Sequence, residues 1–141
     1  MIRRIALFAL FFANMAVCEA SASTTVSRND EAARDAAVQW LQLVDAGHNE
    51  EATSQASLEA WPLQKWLNYF KTQRAPLGKV HNRQVVEMKH TSIVARVPDV
   101  QRYYVIRFNT SFEHRPGAME QITLAKVGCC WEIFDYQISD K

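Results

Sequence analysis

The sequence predicts an α+β domain in which two or three N-terminal helices pack on a curved antiparallel meander sheet. Three observations carry that expectation. Apolar residues recur at helical spacing from Ala33 to Phe70. Beyond Gly78 the pattern changes to β-branched and aromatic runs in which alternate residues share a face. Those runs are separated by turn clusters too short for the crossovers that parallel strands require. Helices first and strands afterwards is an α+β order.

The chain opens with an export signal. Arg3 and Arg4 give a positive start, and Ile5 to Val17 is apolar except for Asn14. The run has the length of a signal h-region and falls short of the ~20 residues that span a bilayer. Ala20-Ser21-Ala22 is a small-x-small cleavage site that makes Ser23 the mature N-terminus, with a cut after Ala20 as the weaker alternative. Cys18 admits a rival, a lipoprotein signal cut before the cysteine. That cleavage prefers Gly or Ala where Val17 stands, so an exported, periplasmic or secreted product without a lipid anchor is expected. Residues 1–22 are then signal, 23–30 a flexible leader and 31–141 one domain of ordinary size.

Ser27, with Asp30 three residues on, has the pattern of a helix start. Ala33, Ala37, Trp40, Leu41 and Val44 form one stripe, and Gly47 closes a helix over 28–46. Residues 49–56 form a short polar helix marked by Ala52 and Ala56. Pro62 begins a third helix with Leu63, Trp66, Leu67 and Phe70 on its apolar face, and Ala75-Pro76-Leu77-Gly78 stops it after Arg74. Strands are expected over 83–88 and 91–97, broken at Pro98-Asp99. A long strand over 102–112 puts Tyr104, Ile106, Phe108, Thr110 and Phe112 on one face, and Tyr103, Val105, Arg107, Asn109 and Ser111 on the other. His114-Arg115-Pro116-Gly117 is a turn, followed by strands over 120–127 and 131–139 with Gly128 between them. Apolar residues on both faces of the long strand call for cover on both.

The formal net charge of +1, with basic and acidic residues interspersed, argues against nucleic-acid partners. The short leader run argues against an integral membrane protein. No Gly-x-Ser-x-Gly, phosphate loop, His-Glu-x-x-His or paired-carboxylate motif is present, so no cofactor or metal is expected. His81, His90 and His114 share no ligand spacing and read as surface residues. Loss of the signal leaves Cys129 and Cys130 as the mature cysteines. In a strand their side chains point to opposite faces, so they read as two small hydrophobes, at least one of them buried. Sharper readings are an intermolecular disulfide, a vicinal redox bridge or a soft-metal site.

Candidate chemistry is sparse. Asp45 at the end of helix one and His48 just beyond form a weak general-base candidate, against which stands ordinary helix-end chemistry. Arg74 is expected to fix the helix–sheet junction by bonding carbonyls or a carboxylate, with anion binding as the alternative. Arg107 interrupts an apolar strand, with Tyr103 on the same face. If that face lines a pocket, these two orient a polar ligand, with Glu120 and Asp135 as partners; if it faces solvent, Arg107 is the polar half of an alternating strand.

Several of these residues form a pattern together. Trp40-Leu41-x-Leu43-Val44-Asp45-Ala46-Gly47, Trp66, Arg74-Ala75-Pro76-Leu77-Gly78, Tyr103, Phe108-x-Thr110-Ser111-Phe112, Glu120, Trp131 and Tyr136 resemble the exported bacterial family DUF4019 over about 37–138. The resemblance implies a cone-shaped, cystatin-like α+β fold similar to nuclear transport factor two, with Trp40, Trp66, Arg74, Pro76, Gly78, Phe108, Phe112, Trp131 and Tyr136 as structural motif residues. It implies no activity. The chain departs from the family at Ala52-Thr53, where Ser-Trp is usual. It departs again at Gly128-Cys129-Cys130-Trp131, where Asp-Gly-x-Trp is usual, and at Asp135-Tyr136, where Gly-Tyr is usual. The expectation is a non-catalytic module binding a small ligand or a protein partner. The alternatives are a pocket enzyme of isomerase or hydrolase type and a structural homodimer through the sheet face.

Overall fold

The computed structural model describes residues 27–91 and 102–141. The signal, the first part of the leader, the expected strand over 91–97 beyond its first residue and the Pro98-Asp99 break lie outside the described residues. The order is α1 (Arg28–Asp45), α2 (Asn49–Ser54), α3 (Leu63–Tyr69), then β1 (Val80–Thr91), β2 (Tyr103–Phe112), β3 (Arg115–Val127) and β4 (Cys130–Asp140). The four strands form one antiparallel sheet in the order β1-β2-β3-β4. The fold is therefore α+β, with the helices preceding a meander sheet.

Ser27 caps α1, its hydroxyl accepting from the Asn29 backbone N–H at 3.3 Å. Ala33, Ala37, Trp40, Leu41 and Val44 are buried, the stripe that the periodicity predicts. After α1 the chain reverses at Gly47, whose φ of 75° suits a residue without a Cβ. α2 then leads to Ala56, which bridges Ile133 of β4 and anchors the helical segment to the sheet edge.

Pro62 occupies the cap of α3, and the helix widens after Tyr69 into a π-helical turn, Phe70–Arg74. A single 3-10 turn, Ala75–Leu77, follows. Gly78 ends it at φ 74° and ψ −151°, a backbone region that is essentially glycine's alone.

The inner sheet face presents Tyr104, Ile106, Phe108 and Phe112 from β2, Ile122 and Leu124 from β3, and Ile133 and Tyr136 from β4, all buried. Against it sit the tryptophans. Trp40 meets Trp66 and Tyr136 edge-on, with ring centroids 5.9 and 5.2 Å apart. Their polar edges are satisfied, since Trp40 Nε1 donates to the Ala52 carbonyl at 2.9 Å and Trp66 Nε1 to the Ser57 carbonyl at 3.3 Å. The space between helices and sheet is filled by aromatic packing.

Two boundaries differ from expectation. β1 begins at Val80 and runs unbroken to Thr91. Arg115, Pro116 and Gly117, expected in a turn, belong to β3. Pro116 is tolerated there because pairing with β4 starts only at Ala118, and β2 is irregular opposite, between Thr110 and Phe112. The outer face also differs. It carries one small apolar group, Ala125 and Phe134 with Tyr103 and Val127 beside them, and is otherwise mixed, so it does not demand an apolar cover.

Candidate functional site

Under the C-terminal end of α1, four elements bring charged groups together. Asp45 is the last residue of α1, Arg74 the last of the π-helical turn, Arg83 lies near the start of β1, and Glu120 lies on β3. Thr110 faces Arg83 across the β1–β2 pair. Glu120 is wholly buried and Arg74 almost so. The Glu120 carboxylate accepts from Arg83 Nε at 2.7 Å, Arg83 Nη2 at 3.2 Å, the Thr110 hydroxyl at 2.5 Å and the Tyr136 hydroxyl at 2.6 Å. Arg83 Nη1 and Nη2 also donate to the two oxygens of Asp45, at 2.7 and 3.1 Å. Arg74 Nη2 donates to Asp45 at 2.9 Å, and its Nη1 to the Gly78 carbonyl at 2.9 Å. Arg74 thus ties α1 to the turn entering the sheet, while its guanidinium lies 4.7 Å from the Phe112 ring centroid.

Two guanidiniums face two carboxylates, so the cluster is neutral, and each carboxylate oxygen has a donor. A carboxylate at a helix C-terminus opposes the helix dipole; for Asp45 two arginines offset that. Burial works against the charge of Arg83, but its bonds to Asp45 and the charge of Glu120 outweigh this and raise its pKa. Burial, and then the Glu120 charge, push the Tyr136 hydroxyl well above the usual tyrosine range, so it serves Glu120 as a donor. The cluster ties α1, the π-helical turn and the sheet to one another through these bonds.

The candidates from sequence do not assemble into one site. Arg107 lies opposite Gln121, one residue from Glu120 on β3. Because side chains alternate, Arg107 and Glu120 are on opposite faces. The expected Arg107–Glu120 partnership is therefore replaced: Arg107 Nε donates to Gln121 Oε1 at 2.8 Å, and Nη1 lies 3.2 Å from Glu87. Tyr103 shares the outer face and packs edge-on against Phe134, with centroids 5.0 Å apart; burial, then Glu132, raise its pKa. Asp135 sits on the edge strand β4 and accepts from Gln137 at 2.8 Å; burial pushes its carboxyl up, partly countered by that bond and by Lys65. Of the four, only Glu120 joins the buried cluster. Asp45 and His48 are not paired: Asp45 turns to Arg74 and Arg83 while His48 lies 3.7 Å from Glu51, the helix-end arrangement rather than a general-base pair.

Cys129 lies in the turn and Cys130 opens β4, and neither is buried, which corrects the expectation that at least one of them would be. Both are exposed, in the hairpin between β3 and β4, and their sulfurs are 2.9 Å apart. Gly128 and Cys129 form the turn, so the two thiols do not follow strand alternation.

Arg83 is the residue that sequence reasoning missed. Its signal was indirect. Glu120 shares a strand face with Ala118, Ile122 and Leu124, and Thr110 sits between Phe108 and Phe112 on the same sheet face of β2. A carboxylate in that position requires a cation from elsewhere in the chain.

Beside the cluster, a cleft of about 600 Å³ opens between the end of α1, the π-helical turn and the start of β1. Lys71, Arg74, Lys79, Asn49, Asp45 and Glu113 are among its lining residues. Lys71 and Lys79 are exposed, and Arg74 Nε is buried without a hydrogen-bond partner among the described residues. With Asp45 already bridged by two arginines, the rim's remaining charges are Lys71, Lys79 and Glu113, a net positive charge of one. A second cleft, of about 560 Å³, lies where α2 meets β4 and is lined by Thr53, Ser57, Leu58, Glu59, Val127 and Glu132. Burial, then Glu59, raise the Glu132 pKa. Among the described residues, no group of three His, Cys, Asp or Glu side chains is placed to hold a metal, and no helix is long and apolar enough to cross a membrane.

No curated protein and no solved structure matches the chain. A family model described as "protein of unknown function (DUF4019)" matches residues 36–136, a span that takes in α1 from its middle, the sheet as far as Tyr136, the buried cluster and the lysine-rimmed cleft. The chain belongs to that family.

Proposed function

We propose that the chain is an exported, non-catalytic binding module that holds a small anionic ligand in the cleft at the end of α1. One contrast carries the reading. The interior is filled by aromatics and its charges are mutually bonded, whereas the accessible cleft beside it carries the exposed Lys71 and Lys79. Export rests on the N-terminal signal, and the family resemblance supports a cone-shaped architecture like that of nuclear transport factor two. Catalysis is disfavoured because Asp45 and Glu120 are engaged by arginines and His48 is not their partner.

Small polar ligands bind where a few convergent polar groups line a concavity, and guanidinium and ammonium groups select carboxylate or phosphate. Native mass spectrometry of the protein purified from its own cells tests the reading. The expected result is a monomer carrying an acidic small molecule, lost when Lys71 and Lys79 are both changed to Glu and retained in Arg107→Ala. A bare monomer, a homodimer, or a ligand indifferent to the lysines but lost with Arg107→Ala contradicts it.

A further inference from the structure

We propose that Cys129 and Cys130 are a reversible dithiol–disulfide couple that exchanges with small or protein disulfides. The inference is independent of the cleft. Both thiols are exposed at the tip of the β3–β4 hairpin, with sulfurs 2.9 Å apart. They are the two free cysteines of the described residues. The hairpin is held below them by the Val127–Cys130 and Lys126–Trp131 pairs, so the thiols are presented on a fixed ladder. Gly128, at φ 60°, has open space around the position of a Cβ. The Cys129 sulfur, by its hydrogen bond and then its charge, raises the Cys130 pKa.

The chemistry balances with a disulfide R–S–S–R as oxidant. One cysteine thiolate attacks a sulfur of that disulfide, forming a mixed disulfide and releasing one R–S⁻, which takes up a proton. The second cysteine, as thiolate, then attacks the protein-bound sulfur, closing the Cys129–Cys130 bond and releasing the second R–S⁻, protonated in turn. Two protein thiols are oxidised to one disulfide, and the partner disulfide is reduced to two thiols. Neighbouring Cα atoms are about 3.8 Å apart across a trans peptide, shorter than the roughly 4.4–6.8 Å of ordinary bridges. Ring closure is therefore constrained, and constrained bridges are the labile ones. The couple suits exchange rather than permanent cross-linking.

The test uses the full chain, reduced and then equilibrated against mixtures of oxidised and reduced glutathione, trapped by alkylation and mapped by peptide mass spectrometry. Mapping separates this pair from Cys18. The expected product is a monomer whose 129–130 peptide has lost two hydrogens and carries neither alkyl group nor glutathione, reversed by excess dithiol. Cys129→Ser and Cys130→Ser are each expected to stop at a stable mixed disulfide, with far-UV circular dichroism unchanged. Full alkylation of both thiols at every ratio, a glutathione adduct persisting on the unaltered pair, or a disulfide-linked dimer overturns the proposal.

Discussion

Arg83→Met removes the cation that serves both carboxylates of the buried cluster while keeping much of the side chain's length and apolar volume. Glu120 has no solvent exposure, and its side chain loses two of its four donors, keeping Thr110 and Tyr136. Asp45 keeps Arg74 and is 22% exposed, so water compensates part of its loss. The cost therefore falls on Glu120, and an uncompensated buried charge costs about 3–5 kcal/mol. That is a large part of the ~5–15 kcal/mol by which a domain is stable. Urea unfolding followed by tryptophan fluorescence should show a much lower midpoint with an unchanged slope. Arg83→Lys keeps the charge but not the forked geometry, and should fall between the two. Adding Glu120→Gln to Arg83→Met removes the stranded charge and should recover about 2 kcal/mol, the scale of coupling between contacting residues. A loss below about 1 kcal/mol for Arg83→Met, or a double variant no better than the single one, would refute the claim that Arg83 exists to neutralise Glu120.

Tyr136 predicts a pH dependence. Its folded pKa is raised, so its contribution is full below the unfolded value near 10 and is lost as pH rises towards the folded one. Tyr136→Phe should lose about 1.5–3 kcal/mol at pH 7, for a bond to a charged group. Its stability should then decline less steeply above pH ~10, by about 1.4 kcal/mol per pH unit, in urea titrations between pH 8 and 11. Gly78→Ala should cost about 1–3 kcal/mol in the same assay, because a Cβ there would also stand 2.7 Å from the Glu113 carboxylate; an unchanged midpoint would contradict the turn geometry. Export predicts that N-terminal sequencing of the mature protein begins at Ser23, with no fatty acid incorporated at Cys18; a lipidated Cys18 would replace soluble export by membrane anchoring.

Much of the fold was legible because it depends on short-range periodicity. The five buried residues of α1 follow from their spacing, and the two faces of β2 from alternation. The candidate site was less legible because its members come from four elements. Arg107 is a charge in an apolar strand, yet alternation groups it with Asn109 and Ser111 on the outer face. The informative residues were Thr110 and Glu120, polar groups on apolar faces, whose partner Arg83 is 37 positions from Glu120. No local rule links that pair; only the register of β1 on β2 and of β2 on β3 brings them together. The cysteines were misplaced because the hairpin turn takes in Cys129 as well as Gly128, and a shift of one residue changes where both thiols point.

The proposed binding role is tested most directly by hydrogen–deuterium exchange of the full chain with and without the small-molecule fraction of its own cells. Protection confined to residues 44–49, 67–79 and 113, and abolished by Lys71→Glu with Lys79→Glu, is the result predicted. Protection along the outer face of β2 around Arg107, or none anywhere, would contradict a ligand cleft at the end of α1.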